Sequence, residues 1–521
     1  MAKEKTIERR TAAKNSVGRG IFAAISILLE FSFIVLTATV LNNYAEWISL
    51  VTRLLALILV LWIYSRNQTA SMKMLWIILI LVFPIIGTVM FLIIGLAKTP
   101  KKMQERFNRI DSQLYPMLAE DPEAAEAAGQ YDLHLASISS YLKKNSSFPL
   151  YHDSEICYYP EASLGLQAQM DELRKAKHFI FMEYHAIENA ESWYVLQDIL
   201  AAKAKAGVEV RVFYDDMGSI GFLNQSFIRQ MEELGIQCRV FNPIVPIVNM
   251  FLNNRDHRKI TVIDGVVGFT GGYNLANEYF NLTHPYGQWK DSGVKITGPA
   301  VRSLTVMFLE MWNAIRECDV DDTEFDRYLP QVPPVRADHP GFIQPYADIP
   351  TDGELVGENV YISLINQAVD YIYFTTPYLI ITDEMIRAIS LAAKRGVDVR
   401  IITPGIPDKK MVYNVTRSYY YSLVRNGVRI YEYTPGFLHA KQCVSDDKAA
   451  VCGTINLDYR SLYHHFENAV LFYDCPAVMD VKKDFYALFP QCREVTKEYA
   501  LRRSAPWRLG NLVLRLFSPL L

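Results

Sequence analysis

The sequence predicts an α/β fold in which two repeated halves form one unit, preceded by N-terminal transmembrane helices. Residues 167–184 and 358–377 both change from a helical to a strand-like apolar pattern. AKAGVEVRVF, which begins at residue 204, recurs as AKRGVDVRII from residue 393. A helix, a glycine and then a Val- and Ile-rich strand is the order expected for a central sheet covered by helices.

The apolar excess of the chain lies in its first hundred residues. The chain of 521 residues is 50% hydrophobic with a mean hydropathy of +0.06, which is high for a wholly soluble protein. Ile21–Leu41, Trp47–Tyr64 and Met74–Leu96 are each candidates to cross about 30 Å of hydrocarbon. We therefore expect two or three spans. Lys and Arg flank both ends of this region, so the positive-inside rule leaves open which face holds the rest of the chain.

These patterns divide the chain into six segments. An acidic, alanine-rich stretch follows the membrane region, and PQVPPVRADHP separates the two repeats. The predicted segments are a membrane-spanning region at 1–100, a connecting segment at 101–150, the first half at 151–329, a linker at 330–345, the second half at 346–500, and an amphipathic tail at 501–521.

Each half contains one copy of a His-x-Lys-x4-Asp motif. HRKITVID supplies His257, Lys259 and Asp264, and HAKQCVSD supplies His439, Lys441 and Asp446. The chain then continues as GGYNL and GTINL, which contain Asn274 and Asn456, with every matching residue displaced by 182 positions. A single copy would be typical of a solvated basic loop, but duplication in step with the fold repeat indicates a functional site.

Charge and cysteine content exclude two classes of protein. The formal net charge of −3 and a pI near 6.4 argue against a protein that coats nucleic acid, since phosphate contacts need a basic surface. The seven cysteines show no CxxC or paired spacing, so we interpret them as reduced thiols and not as a disulfide framework or a zinc ribbon.

The duplicated motif with its GGxN and GTxNxD continuations resembles the phospholipase D superfamily. The N-terminal apolar segments, RDHRKITVIDG, WKDSGVKITGPAV, TPYL and the final PLL are similar to bacterial cardiolipin synthases, from about residue 50 to the end. The resemblance implies two phospholipase D-like halves whose motifs converge at their interface, no metal or other cofactor, and a multi-pass location in the bacterial cell membrane.

The chemistry implied by this resemblance needs the residues that are duplicated. Exchange of one alcohol for another on a phosphodiester can pass through a covalent phosphohistidine, so one neutral imidazole attacks phosphorus while a second exchanges the proton. The resemblance favours His257 as nucleophile and His439 as general acid/base. Lys259, Lys441 and the two asparagines would stabilise charge on the non-bridging oxygens.

Each imidazole also needs a partner that fixes its tautomer. The strands after the motifs align as DSGVKI and ENAVLF, which places Asp291 and Glu467 at equivalent positions, 34 and 28 residues beyond the histidine of their own half. We predict that these carboxylates orient the histidines. Asp264 and Asp446 are grouped with the catalytic motif, and we expect them to hold its backbone and not to touch substrate.

Two further segments could contact lipid. The first half has ten extra residues before His257, including the apolar IVPIVNMFL, which either contacts acyl chains or packs on the second half. In the tail, Leu509, Leu512, Val513 and Leu516 follow helical spacing, with Arg508 and Arg515 one heptad apart. This segment is either an interfacial amphipathic helix or a helix docked on the core.

The resulting hypothesis is a membrane-anchored phosphatidyltransferase that joins two phosphatidylglycerol molecules into cardiolipin and releases glycerol. A phospholipase D-type hydrolase is the main alternative. A nucleic-acid phosphodiesterase is less favoured because the apolar segments indicate a lipid substrate. A non-catalytic membrane scaffold is less favoured because His and Lys are intact in both copies of the motif. The sequence leaves the head groups, the oligomeric state and the membrane face open.

Overall fold

The computed structural model describes residues 45–66, 69–92, 101–119, 121–223, 226–243, 254–314, 322, 324–335, 341–501, 505–516 and 518. The chain forms two compact units, one with the first three helices and one with both large sheets. The predicted span Ile21–Leu41 and the apolar insert at 244–252 lie outside the described residues.

The N-terminal unit contains α1 (Ala45–Ser65), α2 (Ala70–Val82) and α3 (Pro84–Met90). The structure divides the apolar stretch that begins at Met74 between α2 and α3. Phe83 leaves the helical conformation, with φ −128° and ψ 75°, and the following Pro84 has no N–H to continue the helix. Within the described part of the chain, no helix combines the length and the apolar character needed to cross a membrane.

The second unit begins with three helices that precede the sheets. They are α4 (Lys101–Leu114), α5 (Pro122–Tyr131) and α6 (Leu133–Ser146). The carboxylates of Asp121 and Asp132 accept backbone N–H groups at the starts of α5 and α6, so each helix has an N-cap of the expected type.

The first half forms a seven-stranded mixed sheet in the order β1-β7-β6-β5-β2-β3-β4. Strands β2, β3 and β4 are parallel and joined through helices, whereas β5, β6, β7 and β1 pair antiparallel. The elements are β1 (Glu155–Tyr159), α7 (Ala162–Leu173), β2 (Phe179–Tyr184), α8 (Glu191–Lys205), β3 (Glu209–Asp215), α9 (Phe227–Glu233), β4 (Gln237–Phe241), β5 (Lys259–Ile263), β6 (Val267–Gly271), β7 (Gly293–Thr297) and α10 (Val301–Ala314).

The second half repeats this order as β8-β16-β14-β13-β9-β11-β12, with β17 added at the far edge. The repeated halves of the α/β fold are therefore confirmed, and a two-stranded sheet joins β10 to β15. The elements are β8 (Phe342–Asp348), α11 (Val356–Gln367), β9 (Tyr371–Thr375), β10 (Leu379–Ile380), α12 (Asp383–Lys394), β11 (Asp398–Pro404), α13 (Lys410–Val424), β12 (Arg429–Tyr433), β13 (Gln442–Ser445), β14 (Ala449–Gly453), β15 (Leu457–Asp458), α14 (Tyr459–Tyr463), β16 (Glu467–Tyr473), α15 (Pro476–Leu488), β17 (Cys492–Glu494), α16 (Thr496–Ala500) and α17 (Ala505–Leu516).

Helix α10 packs against strands of both halves. It contacts β2, β5 and β6 of the first sheet and β8 of the second, and all its side chains except Arg302 are buried. A helix that is buried on every face lies in the core of a protein, so α10 anchors the two halves to each other.

The C-terminal helix α17 docks on α13. The guanidinium of Arg515 lies 4.5 Å from the centre of the Tyr419 ring, and the Ser518 hydroxyl lies 3.0 Å from the Tyr419 hydroxyl. Leu512 is nevertheless exposed. One face of the tail therefore rests on the core, which is the docked alternative, while an apolar side chain stays on the surface.

Candidate active site

The two motifs occupy equivalent positions in the two sheets. Lys259 is the first residue of β5, and Lys441 directly precedes β13, which has the same place in the second sheet. Both lysines and both histidines are buried. The repeat thus sets His257 and His439 at the entrance of matching strands.

Backbone hydrogen bonds join each motif to the opposite half. The N–H of His257 donates to the carbonyl of Phe466 at 2.9 Å, and the N–H of His439 donates to the carbonyl of Lys290 at 2.7 Å. Return bonds run from Phe466 N–H to Arg255 and from Lys290 N–H to Phe437. The backbone of His257 is therefore held by the residue that precedes β16 of the second half. The backbone of His439 is held by the segment that precedes β7 of the first half.

The imidazoles cross between the halves in the same way. His257 Nδ1 lies 2.9 Å from Glu467 Oε2, and His439 Nδ1 lies 2.6 Å from Asp291 Oδ2. The sequence placed each carboxylate with the histidine of its own half, and that pairing is wrong. The backbone bonds beside Phe466 and Lys290 bring in the opposite carboxylate instead. With Nδ1–H donated to a carboxylate, Nε2 of each ring keeps its lone pair.

Burial sets the charge state of the two imidazoles. Loss of solvation lowers the pKa of His257 to about 3, although Glu467 opposes the change. Burial and then the charge of Lys441 lower the pKa of His439 to about 4, against the effect of Asp291. Both rings are therefore neutral at neutral pH. A neutral imidazole with a free Nε2 lone pair is a competent nucleophile or general base.

The orienting carboxylates stay charged although they are buried. Burial alone would raise the pKa of Asp291, but the neighbouring His439 and Lys441 outweigh it and lower the pKa. Burial likewise opposes ionisation of Glu467, but its electrostatic interaction with the neighbouring His257 and the hydrogen bond between them hold the Glu467 pKa well below the usual range. The Thr454 hydroxyl also donates to Glu467 Oε2.

The two motif lysines fold back onto their own histidines. Lys259 Nζ donates to the His257 carbonyl at 2.5 Å, and Lys441 Nζ donates to the His439 carbonyl. Burial lowers the pKa of Lys259 to about 8 and of Lys441 to about 7, and the charge of Lys259 adds to the effect on Lys441. The two ammonium groups therefore share one electrostatic environment, where an anion would be favourable.

Asp264 and Asp446 lie away from the imidazoles and hold the backbone. Each follows the far end of its strand, about 16 Å along the chain from the motif lysine at 3.3 Å per residue. Each carboxylate accepts three backbone N–H groups where the neighbouring strand begins, from 177–179 for Asp264 and from 369–371 for Asp446. These contacts match the structural role that the sequence predicts for both aspartates.

The two asparagines differ. The Asn274 amide donates to the Tyr279 hydroxyl at 2.7 Å, and its oxygen accepts the N–H of Ala186 at 3.2 Å. The Asn456 side-chain oxygen is buried without a partner among the described residues. Asn274 is thus partly committed to the protein, and a phosphate contact would use its remaining N–H.

Two histidines near His257 were missed by the sequence interpretation. The ring centres of His185 and His465 lie 5.0 Å and 5.5 Å from that of His257. His465, His257 and Glu467 offer ligand atoms that all lie within 4.8 Å of one another. The sequence favoured no metal near either motif. The HHFE run at 464–467, next to a predicted orienting carboxylate, was the available signal.

Aromatic rings surround His439 instead. The ring of His439 lies 5.3 Å from both Tyr279 and Trp289 and 5.9 Å from Phe437. Trp289 also packs on Tyr286 at 6.4 Å. These rings pack on one another, and they make this side of the site apolar.

The fold and the site can be compared with known proteins. The family model described as "Cardiolipin synthase, PLD-like domain" matches residues 170–312 and 361–489, and "Phospholipase_D-nuclease N-terminal" matches residues 54–95. The structure of a phosphatidylserine synthase from Haemophilus influenzae has a TM-score of 0.56 at 15% identity, covering 74% of this chain and 99% of that one. That likeness concerns the fold alone.

Relatives match over most of their length. The chain is 40% identical over 463 residues to an uncharacterized protein of Streptococcus mutans, covering 89% of this chain and 99% of the relative. It is 32% identical over 460 residues to cardiolipin synthase 2 of Bacillus cereus, covering 88% of each chain. With both matched segments carrying one motif each, the chain belongs to the phospholipase D-like cardiolipin synthase family of phosphatidyltransferases.

Proposed function

We propose that this protein transfers the phosphatidyl group of one phosphatidylglycerol to a second, giving cardiolipin and glycerol. The observation that carries the proposal is the crossed pairing of two neutral imidazoles with two carboxylates, beside two buried lysines. Transfer between two alcohols through a covalent enzyme intermediate needs a nucleophile and a separate proton carrier. The two half-sites supply one of each.

In the first half-reaction, His257 Nε2 attacks phosphorus and the bond from phosphorus to the glycerol oxygen breaks. His439 gives the proton from Nε2 to that oxygen, and glycerol leaves. A phosphodiester brings a negative charge beside Lys259 and Lys441, which raises the pKa of His439 and allows it to carry this proton. The order of the two histidines follows the family resemblance.

In the second half-reaction, a hydroxyl of the incoming phosphatidylglycerol attacks the phosphohistidine. His439 accepts the hydroxyl proton, the new P–O bond forms and the N–P bond to His257 breaks. Lys259 and Lys441 stabilise the added charge on the non-bridging oxygens in both steps. The carboxylates keep Nδ1 protonated throughout, so Nε2 is the reactive atom of each ring.

We infer that the N-terminal helices bring the protein to the bacterial cell membrane, where its lipid substrate lies. Helix α1 exposes apolar side chains around much of its surface, with Leu54, Ile58 and Leu61 between 53% and 64% exposed. An exposed apolar patch of this kind would favour aggregation in water, and contact with lipid removes it from water. The predicted spans remain a prediction.

The membrane proposal is tested by sedimentation of the full chain with phosphatidylglycerol vesicles. Serine at Leu54, Ile58 and Leu61 should move protein from the vesicle pellet to the supernatant. The matched control is serine at Val369, an apolar residue that is 74% exposed in the second half. Equal loss in both variants, or none in either, would contradict the proposal.

The activity is tested with purified full-length protein and phosphatidylglycerol of defined chain length, with products identified by mass. We expect cardiolipin and glycerol, and reversal of the reaction when glycerol is added in large excess. Lys259→Ala and Lys441→Ala should remove both directions together, because each withdraws one of the two charges. Phosphatidic acid as the dominant product, with no cardiolipin and no reversal, would instead identify a hydrolase, since water competes unless the site excludes it.

A further inference from the structure

Three buried atoms lack partners on the His257 side of the site. They are both ring nitrogens of His465 and Oε1 of Glu467, none of which has a hydrogen-bond partner among the described residues. His465 Nδ1 lies 3.6 Å from Glu467 Oε1, and the His465 side chain is only 11% exposed. Buried polar atoms without partners are costly, so three of them around one gap need an explanation.

The spacing of these atoms fits a metal ion better than a hydrogen bond. A distance of 3.6 Å is too long for a good hydrogen bond between nitrogen and oxygen. Two ligands of a tetrahedral Zn²⁺, each bound at about 2.0 to 2.2 Å, lie roughly 3.4 Å apart. His257 completes the group, since its ligand atom and those of His465 and Glu467 all lie within 4.8 Å of one another.

We propose that His257, His465 and Glu467 bind a divalent transition-metal ion of the Zn²⁺ class, and that this ion switches the enzyme off. The donor set of two imidazoles and one carboxylate suits Zn²⁺ and its neighbours in the first transition row. The remaining coordination position is open to water. The regulatory part of the inference rests on the proposed function.

The switch acts through the tautomer of His257. When Nδ1–H donates to Glu467, as the 2.9 Å contact indicates, Nε2 holds the lone pair that attacks phosphorus. A metal ion on Nδ1 takes that nitrogen's lone pair and displaces its proton, and the neutral ring then carries its proton on Nε2. Nε2 has no lone pair in this form, so the His257 half-site loses its nucleophile.

The other half-site lacks the third ligand. Aligning β7 with β16 sets Trp289 opposite His465, two residues before Asp291 and Glu467 respectively. The ring centres of Trp289 and His439 are 5.3 Å apart, and those of His465 and His257 are 5.5 Å apart. An indole is no metal ligand, so a single ion should bind per chain.

Binding is measured first, without reference to activity. Metal-free full-length protein in detergent is titrated with Co²⁺, whose visible absorption reports tetrahedral nitrogen and oxygen ligation, and Zn²⁺ is then added as competitor. We expect one Co²⁺ per chain, displaced by Zn²⁺. His465→Asn should weaken binding by about 10- to 100-fold or more, since the loss of supporting residues alone has effects of that size. His464→Asn, one residue away and outside the three-residue group, is the matched control and should bind as the unaltered protein does.

Activity is measured next on the same preparations. Zn²⁺ should abolish cardiolipin formation by the unaltered protein and by His464→Asn, and chelator should restore it. His465→Asn and, as a second replacement, His465→Gln should resist Zn²⁺ relative to their own metal-free rates, with melting temperatures recorded to show folding.

Absence of a Co²⁺ spectrum, or inhibition that is equal in the His465 variants, overturns the inference while leaving the proposed function intact. Activation by metal, with chelated protein inactive, also overturns it. Failure of the proposed function would show as no cardiolipin under any condition, with the Co²⁺ titration still interpretable.

Discussion

The two orienting carboxylates should respond differently to removal of their charge. Glu467 accepts both its hydrogen bonds, from His257 Nδ1 and from the Thr454 hydroxyl, on the one oxygen Oε2, while Oε1 has no partner among the described residues. In Glu467→Gln the amide oxygen can take the place of Oε2 and the amide nitrogen that of Oε1. Both hydrogen bonds and the tautomer of His257 then survive.

Asp291 does not have this freedom. Its Oδ2 accepts from His439 Nδ1 at 2.6 Å, while its Oδ1 accepts the N–H of Ser292 at 2.9 Å. In Asp291→Asn the amide nitrogen must face one of these two donors. Either the buried Ser292 N–H loses its partner, or the amide donates to Nδ1 and forces the proton of His439 onto Nε2.

The magnitudes follow from these contacts. Glu467→Gln exchanges a charged for a neutral acceptor, which costs about 1 to 2 kcal/mol, or roughly 5- to 30-fold in the transfer rate. Asp291→Asn adds the cost of an unsatisfied buried donor, about 1 to 3 kcal/mol, for a total of roughly 30- to 5,000-fold. Neither change alters side-chain volume much, but an unsatisfied buried donor also destabilises the folded protein, so the melting temperature should fall more in Asp291→Asn than in Glu467→Gln.

The assay is the initial rate of cardiolipin formation from saturating phosphatidylglycerol, with both variants compared at equal concentration of folded protein. A larger loss in Glu467→Gln than in Asp291→Asn would refute the reasoning from hydrogen bonds. Equal losses in the two variants would show that charge alone matters and that the second oxygen of each carboxylate is irrelevant.

Three further predictions follow from the geometry of the site. The value of kcat/KM should fall as pH rises through about 7 to 8, because burial lowers the pKa of Lys441 to about 7 and the ammonium is lost above it; a flat profile would contradict this. Gly272→Ala should greatly reduce transfer, because an added Cβ would meet Asp291 Oδ1 at 2.1 Å, whereas Gly129→Ala, with nothing within 4 Å, should be silent in the same assay. His439→Asn should accumulate a phosphatidyl-protein adduct detectable by intact mass, and His257→Asn should form none; an adduct in the latter would reverse the two roles.

The sequence was sufficient to predict the repeat and the motif residues, because both depend on local patterns. The strand after each motif, the glycines before β3 and β11 and the position of Asp264 all follow from short-range spacing. The break at Pro84 was not predicted, since Met74–Leu96 was interpreted as one span, although a proline without an N–H was the available signal. These features require no knowledge of how the halves meet.

The pairing of His257 with Glu467 could not be predicted in this way. Equivalent positions in a repeat are interchangeable in the sequence, so nothing there separates a carboxylate that serves its own half from one that serves the other. The choice depends on two backbone hydrogen bonds. One joins His257 to Phe466, 209 positions later, and the other joins His439 to Lys290, 149 positions earlier. Contacts at such separations are fixed by tertiary packing and not by local propensity.

Duplication gives the site its symmetry, and the residues around it remove that symmetry. His465 stands where the other half has Trp289, and Thr454, which donates to Glu467, stands where the other half has Gly272. On the His257 side, the Glu467 carboxylate therefore has polar neighbours, and Thr454 donates a hydrogen bond to it. On the other side, the His439 ring packs against aromatic rings. Two histidines in identical surroundings would compete for the roles of nucleophile and proton carrier, since nothing would separate their affinities for a proton. Unequal neighbours separate them. The division of labour between the half-sites should thus depend on the pairs His465/Trp289 and Thr454/Gly272, and not on the motif residues, which are the same in both.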